Sequence, residues 1–341
     1  MQMLETGAGL KRAGVEVVVG GLRCDYSGYD LVHLFNTTRI NETFVHCRAA
    51  RAAGIPVVVS TIWHSVREMR RFYAWRFGVP WFPIRTYAAL REVYYARRSG
   101  FPICVRSVCR YRECQRDVVR DAAAILPNSE AELRQLREEL DVLPRRAFIV
   151  PNGFAVEKAA ALLKKESPRR GVVCAGRIEP RKNQQRVVEG FKLLGERGLM
   201  LRFFGAINES HGWYARGFQA SLVPGWIEYG GSLKPEALYG TFRAAQVVVL
   251  ASYFETTGLV ALEGLACGAR VVVSDSPYTR DYFRDAAVYC DPYSEKSIAE
   301  AIATALRAPP KAPPAWLNEY TWERAAELTL EAYRAVLGGR A

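Results

Sequence analysis

The chain has 341 residues, half of them hydrophobic and 24% charged, and carries a net charge of +12. That length exceeds one ordinary domain and suggests two. The composition excludes a disordered or fibrous chain, and no apolar run reaches the ~18–20 residues that a membrane span needs.

The N-terminus lacks a signal-peptide pattern, and the eight cysteines are scattered, which reads as a reduced, cytoplasmic protein. Cys174 and Cys267 sit in apolar runs and read as core residues. Cys104, Cys109 and Cys114 follow a C-x4-C-x4-C pattern. That is not a zinc spacing, and five-residue steps leave a single helix face, so no metal site is expected.

The chain opens with "MQMLETGAGLKRAG", a helix pattern that Gly14 would end. "VEVVVG", "YDLVHLF", "IPVVVST", "AAILPN" and "AFIVPN" then read as strands of the first half. "GVVCAGR", "LMLRFFG", "WIEYGG", "AQVVVLAS", "ARVVVSD" and "AAVYCD" read as strands of the second. Helical patterns separate them, which implies βαβ units and parallel sheets. Their near-continuous Val and Ile content implies strands buried on both faces. The expected class is therefore α/β with two doubly wound domains. The domain boundary falls after "FIVPNGF", at 1–152 and 153–318. After the Pro-rich "RAPPKAPPAW", residues 319–341 carry an amphipathic helix with Trp322, Ala325, Leu328, Leu330, Tyr333 and Leu337 at mostly helical spacing. A doubly wound domain normally opens with a strand, so either the first domain lacks its first strand or the sequence starts late.

The charge is uneven. Residues 60–120 hold thirteen arginines, no lysine and only four acids, among Trp63, Phe72, Tyr73, Trp75, Phe77, Trp81 and Phe82. Basic and aromatic side chains together suit an anionic membrane surface, an acidic substrate or nucleic acid. A solvated surface with arginine stems lying over aromatics is the alternative.

Two loops of the second half can hold a diphosphate. In "CAGRIEPRKNQQ" a strand ends at Gly176, and Arg177 and Lys182 stand before the next helix. Ligands of open α/β sheets bind outside the carboxyl ends of strands, where a forked guanidinium and an ammonium neutralise phosphate. In "AQVVVLASYFETTGLVALEGLACG" a strand ends at Ser252 and a helix runs from about Gly258 to Cys267. Its N-terminus favours anions, and Gly258 allows close backbone approach. Glu255 precedes that end and Glu263 lies about one and a half turns inside. Both carboxylates can accept hydrogen bonds from sugar hydroxyls. The alternative makes Glu255 a helix-start acid and Glu263 a surface residue, but Ala261, Leu262, Leu265 and Ala266 surround Glu263, and a buried acid needs a partner.

The Glu255-x7-Glu263 element after a "LAS" strand resembles the retaining glycosyltransferases of family 4, whose type B fold has two facing Rossmann-like domains. "AGRIEPRKN", "VPNGF", "GSLKPEALYGTFRAAQVVVLAS" and "TWERAAELTLEAYRAVL" resemble further family segments in order, over residues 122–338 and only loosely before. The resemblance implies a hexosyltransferase that uses a nucleotide-diphosphate sugar as co-substrate, retains configuration, and needs no metal or other cofactor. It implies that Arg177 and Lys182 hold the diphosphate and that Glu263 binds the ribose. The backbone at Thr257, Gly258 and Leu259 would meet phosphate and sugar. His64, in "IPVVVSTIWHS", would face the donor sugar and, with Glu255 on the transferred sugar, form the catalytic pair. His33, in "DLVHLF", is read as a strand-end residue of structural use. The family's Gly-rich loop after the first strand is absent, Thr257 replaces its Phe, and "SPYTRDYF" replaces its Gly-Gly.

The acceptor is a sugar, a lipid-linked or another molecule. The basic aromatic region 63–98 suggests peripheral contact with the cytoplasmic face of a membrane. A soluble acidic acceptor is the competing reading. A dinucleotide-dependent oxidoreductase would share the doubly wound domains, but no G-x-G-x-x-G follows a strand. A nucleic-acid-binding protein would explain the charge but not the paired glutamates, so no nucleic acid partner is expected.

Overall fold

The computed structural model describes residues 2–21, 24–164 and 168–338. The chain divides into two compact units, residues 1–153 with 322–341, and residues 154–321.

The first unit begins with α1 (Gln2–Arg12), β1 (Val32–Phe35), α2 (Ile40–Ala52) and β2 (Val57–Ser60). It continues with α3 (Val66–Phe77), α4 (Ile84–Ser99), α5 (Val105–Cys109), α6 (Tyr111–Asp121), β3 (Ala124–Leu126) and α7 (Glu130–Leu140). The second unit comprises α8 (Val156–Leu163), β4 (Val172–Ala175), α9 (Gln184–Leu194), β5 (Leu201–Phe204), α10 (Gly212–Ser221) and β6 (Ile227–Tyr229). Then come α11 (Pro235–Ala244), β7 (Val247–Leu250), α12 (Leu259–Ala266), β8 (Arg270–Ser274), α13 (Pro277–Phe283), β9 (Ala287–Cys290) and α14 (Glu295–Arg307). The last helix, α15 (Trp322–Leu337), belongs to the first unit.

The sheet of the second unit is wholly parallel in the order β6-β5-β4-β7-β8-β9. Strands β4 and β7 are buried along their whole length, as unbroken apolar runs require when helices cover both faces. Chain order reverses between β4 and β7, so the crevice outside their carboxyl ends is the topological switch point at which such sheets bind ligands.

The first unit holds a three-stranded parallel sheet, β1-β2-β3. Two expected strands are corrected here. Residues 15–20, "VEVVVG", lie outside the sheet, with Val18 59% and Val19 52% exposed. Unbroken valine content marks a segment fit for a buried strand, but a strand also needs a neighbour to share its ladder, and among the described residues none pairs with it. "AFIVPN" makes one parallel bridge, Ala147 to Ile125, and follows β3 without a continuous ladder.

Helix α15 packs on α1. Their approach is closest at Gly9, where a side-chain carbon would come within 2.6 Å of Ala326 Cβ. The buried face of α15 is Ala325, Ala326, Thr329, Ala332 and Val336, which shifts the expected stripe toward small residues. Trp322, Leu328 and Tyr333 flank it against a core cluster that includes Val58, Leu126 and Val150.

Candidate functional site

The β4 and β7 loops meet at the switch point. Gly176 ends β4 with a φ of +143°, and Gly205 ends β5 with +141°. A Cβ on Gly205 would lie 2.1 Å from the Gly176 carbonyl oxygen, so the two loops pack backbone on backbone. A single 3-10 turn, Pro180–Lys182, follows, and Asn183 in the left-handed region opens α9. The Asn183 side-chain amide donates to the carbonyls of Ala251 (2.9 Å) and Pro292 (2.8 Å), and Tyr253 N donates to Arg181 O (2.9 Å). These bonds tie the β4 loop to the end of β7.

Lys182 thereby points inward, its side chain 15% exposed, and pairs with the buried Glu255 carboxylate. Arg181 lies on the same carboxylate at 3.5 Å and also reaches Phe254 O (3.3 Å) and Glu179 (3.0 Å). Burial alone would raise the Glu255 carboxyl, but Lys182 and Arg181 outweigh it and hold the group down at about 2. Burial lowers the Lys182 ammonium, with Glu255 pulling the other way. Arg177 stands at the rim, its side chain 63% exposed and 3.7 Å from Glu179.

Glu255 and Thr257 are buried, and Gly258, with a φ of +81°, caps α12 just before Leu259. A Cβ on Gly258 would also press on Leu250 at 3.1 Å and Phe283 at 3.3 Å, so close packing as well as backbone angle favours glycine there. Glu263 is half-buried in the second turn of α12. The Tyr239 hydroxyl donates to it at 3.4 Å, yet burial pushes its carboxyl up to about 7. Arg177, Lys182, Glu255, Thr257, Gly258, Leu259 and Glu263 thus all stand on the loops and helix that leave β4 and β7. Arg181 and Glu179 were missed in the sequence. Their only signal there is the alternation of charge in "RIEPRK", and the turn at Pro180 decides which cation faces inward.

His64 belongs to the first unit, four residues beyond β2, and lines a cavity of about 280 Å³. Its loop passes through Ile62, a β-branched residue at a φ of +44°, a conformation that must be held by its surroundings. Two glutamates of α7 hold it. Buried Glu132 accepts from the Thr61 hydroxyl, Trp63 N (2.8 Å) and Asn128 N (2.9 Å). Glu139 accepts from Trp63 Nε1 (3.1 Å), Ser65 Oγ (2.6 Å) and Val66 N (2.7 Å), at the entry to α3. Sequence reasoning missed both glutamates; the signal that could have found Glu132 is Ser129-x-x-Glu132, a helix-start signature, and Ser129 Oγ accepts from Glu132 N (3.1 Å) while the Glu132 side chain serves the His64 loop.

His33 is not at a strand end. It is the second residue of β1, half-buried, with its ring nitrogens on the Tyr333 hydroxyl (2.8 Å) and Ser60 Oγ (2.9 Å). Burial drives it down to about 3, so it stays neutral and joins β1 to α15. Among the described residues no group of three His, Cys, Asp or Glu is placed to hold a metal ion.

The match is to glycosyl transferases group 1, over residues 157–320. The chain is 28% identical over 174 residues to an O-antigen chain mannosyltransferase B of Escherichia coli, covering 47% of this chain and 44% of that protein. It is 26% identical over 264 residues to a D-inositol 3-phosphate glycosyltransferase of Paenarthrobacter aurescens, covering 67% and 62%. The chain thus spans roughly half the length of these curated relatives. Among solved structures, sucrose-phosphate synthase of Thermosynechococcus elongatus superposes with a TM-score of 0.67 at 17% identity, over 92% of this chain and 75% of that one. An α,α-trehalose-phosphate synthase of Burkholderia xenovorans, in complex with glucose-6-phosphate, gives 0.65 at 14% identity, over 98% and 78%. At such identities these likenesses speak to the fold. The two units are two Rossmann-like α/β domains, as in type B glycosyltransferases.

Proposed function

We propose that the protein is a hexosyltransferase that moves a sugar from a nucleotide-diphosphate sugar to an acceptor with retention of configuration, as in family 4. The observation that carries this reading is the Lys182–Glu255 pair at the β4/β7 switch point, beside the N-terminus of α12. The donor diphosphate meets Lys182, Arg181 and Arg177 there, and Glu263 accepts from the ribose hydroxyls. Glu255, pulled toward two cations, shares Lys182 with the diphosphate and turns its other oxygen to the transferred sugar.

The bond from the anomeric carbon to the phosphate oxygen breaks, and the charge that develops on the leaving diphosphate is met by cations already in place. The acceptor oxygen bonds to that carbon on the same face, and its proton passes to the departing phosphate. The names of the mannosyltransferase and the inositol phosphate glycosyltransferase support hexosyl transfer.

The acceptor is held at a membrane. Helices α3 and α4 carry eight arginines against two acids. Trp81 is 73%, Phe77 53% and Trp75 46% exposed on and between them. Among the described residues no helix is long and apolar enough to cross a bilayer, so contact on this reading is peripheral, through arginines on anionic headgroups and rings at the interface.

Binding and hydrolysis measured over UDP-, GDP- and ADP-sugars, with Glu263→Ala alongside, test the central reading. Use of one nucleotide sugar, weakened by the substitution, supports it. No binding of any of the three overturns it.

A further inference from the structure

Most of the accessible surface of the cavity beside His64 is apolar. That surface comes from Trp63, Val66, Met69, Ile84, Ala88 and Leu140, on α3, α4, the end of α7 and the loop after β2. Polar side chains line the rest, among them the buried Thr38 and Gln115, Tyr111, and the carboxylates of Glu138 and Glu139. The Arg112 guanidinium there donates to the Glu139 carbonyl at 3.1 Å. Arg85 also lines it, is exposed, and makes no ion pair or hydrogen bond among the described residues. A pocket with apolar walls and one unspent cation at its edge takes an amphiphile, with the chain inside and an anionic group at the arginine. About 280 Å³ accommodates roughly nine water-sized groups at ~30 Å³ each, which is the length of a medium alkyl segment. The exposed rings of Trp75, Phe77 and Trp81 belong to α3 and to the turn that joins it to α4, so two helices that line the cavity are joined by the segment best suited to lie on lipid.

We propose that this cavity binds the first part of the apolar chain of a phosphate-bearing lipid acceptor, with the phosphate on Arg85. The inference rests on the transfer reading above and names the class of its acceptor.

The test uses n-alkyl phosphates of six to fourteen carbons, kept below their micelle concentrations, titrated calorimetrically into the full chain. Inorganic phosphate serves as the headgroup alone. Affinity should rise about fourfold per methylene, the equivalent of ~0.8 kcal/mol, and level off near nine carbons. Ala88→Trp, which fills the cavity, should abolish the dependence on chain length. Arg85→Glu, at an exposed position, should weaken every alkyl phosphate about tenfold and leave the slope per methylene unchanged. Thermal melts check that both variants fold; if Ala88→Trp does not, Met69→Phe takes its place. Alkyl phosphates that bind no more tightly than inorganic phosphate overturn the proposal, as does a slope that survives filling the cavity. A nucleotide-sugar titration on the same sample reads the transfer reading separately, so a protein that binds donor but no alkyl phosphate loses only this inference.

Discussion

Glu263 should cost the protein stability at the pH where it is useful. Burial moves its carboxyl from the ordinary value of 4.5 to about 7, with only the Tyr239 hydroxyl to help the charged form. A raised carboxyl favours the folded protein while it is protonated. That contribution is complete below 4.5, falls as pH rises toward 7, and is gone above it. A shift of this size corresponds to about 3 kcal/mol at ~1.4 kcal/mol per unit. Glu263→Gln keeps the shape and removes the charge. The variant should therefore match the parent at pH 4.5 and exceed it by up to about 3 kcal/mol at pH 8. In a unit of this size that is roughly 2–4 °C of melting temperature per kcal/mol. The same change removes the acceptor for the ribose hydroxyls, so nucleotide-sugar affinity should fall about tenfold at pH 8, while the parent's affinity should rise with pH through 7. Urea unfolding at the two pH values, paired with donor titrations, reads both. Equal stability of variant and parent at pH 8 would refute a carboxylate whose desolvation outweighs its one hydrogen bond.

Lys182→Met should weaken donor binding about tenfold to a hundredfold, the worth of a charge-assisted hydrogen bond of ~1.5–3 kcal/mol, and wild-type affinity by calorimetry would remove Lys182 from the site. It should also destabilise the fold, because Glu255 loses the nearer of its two cations. Tyr333→Phe should cost about 1 kcal/mol in denaturant unfolding by taking the hydroxyl from His33; donor affinity that drops with it would contradict a purely structural His33. Deleting the residues after Pro313 uncovers the core cluster that includes Val58, Leu126 and Val150, and should cost solubility; a soluble, active truncation would show that α15 is dispensable. Sedimentation with anionic liposomes should increase with anionic lipid, decrease with salt, and drop in an Arg70→Ala, Arg71→Ala, Trp75→Ala variant; wild-type protein left in the supernatant at low salt would end the membrane reading.

The second unit was nearly transparent in the sequence. Its strands are short apolar runs, valine-rich in β4, β7 and β8, bounded by glycines and polar turns, and every one found a neighbour. Residues 15–20 have the same texture and failed, because hydrophobic pattern reports what a segment wants to bury and not whether a ladder partner stands beside it. The glutamate pair was legible from its eight-residue step after a strand. What Glu255 does with its charge was not, since the Lys182 contact joins loops 73 positions apart. Arg181 and Arg177 are equivalent on paper; the turn at Pro180 makes one a half-buried bridge and leaves the other in solvent. Glu132 and Glu139 are about seventy positions from the loop they hold, and helix-start chemistry showed only the local half of Glu132's work.

The contact between Gly205 and the Gly176 carbonyl has an evolutionary side. Most substitutions in a surface loop are absorbed locally, and such loops drift freely between related proteins. Here a single methyl group at position 205 would collide with the backbone that carries Arg177 and Lys182 toward Glu255. The β5 loop, which holds none of the paired charges, is thus under the same constraint as the loop that does. A change of specificity reached through it would have to spare this glycine and vary the residues beyond, from Ala206 through Trp213.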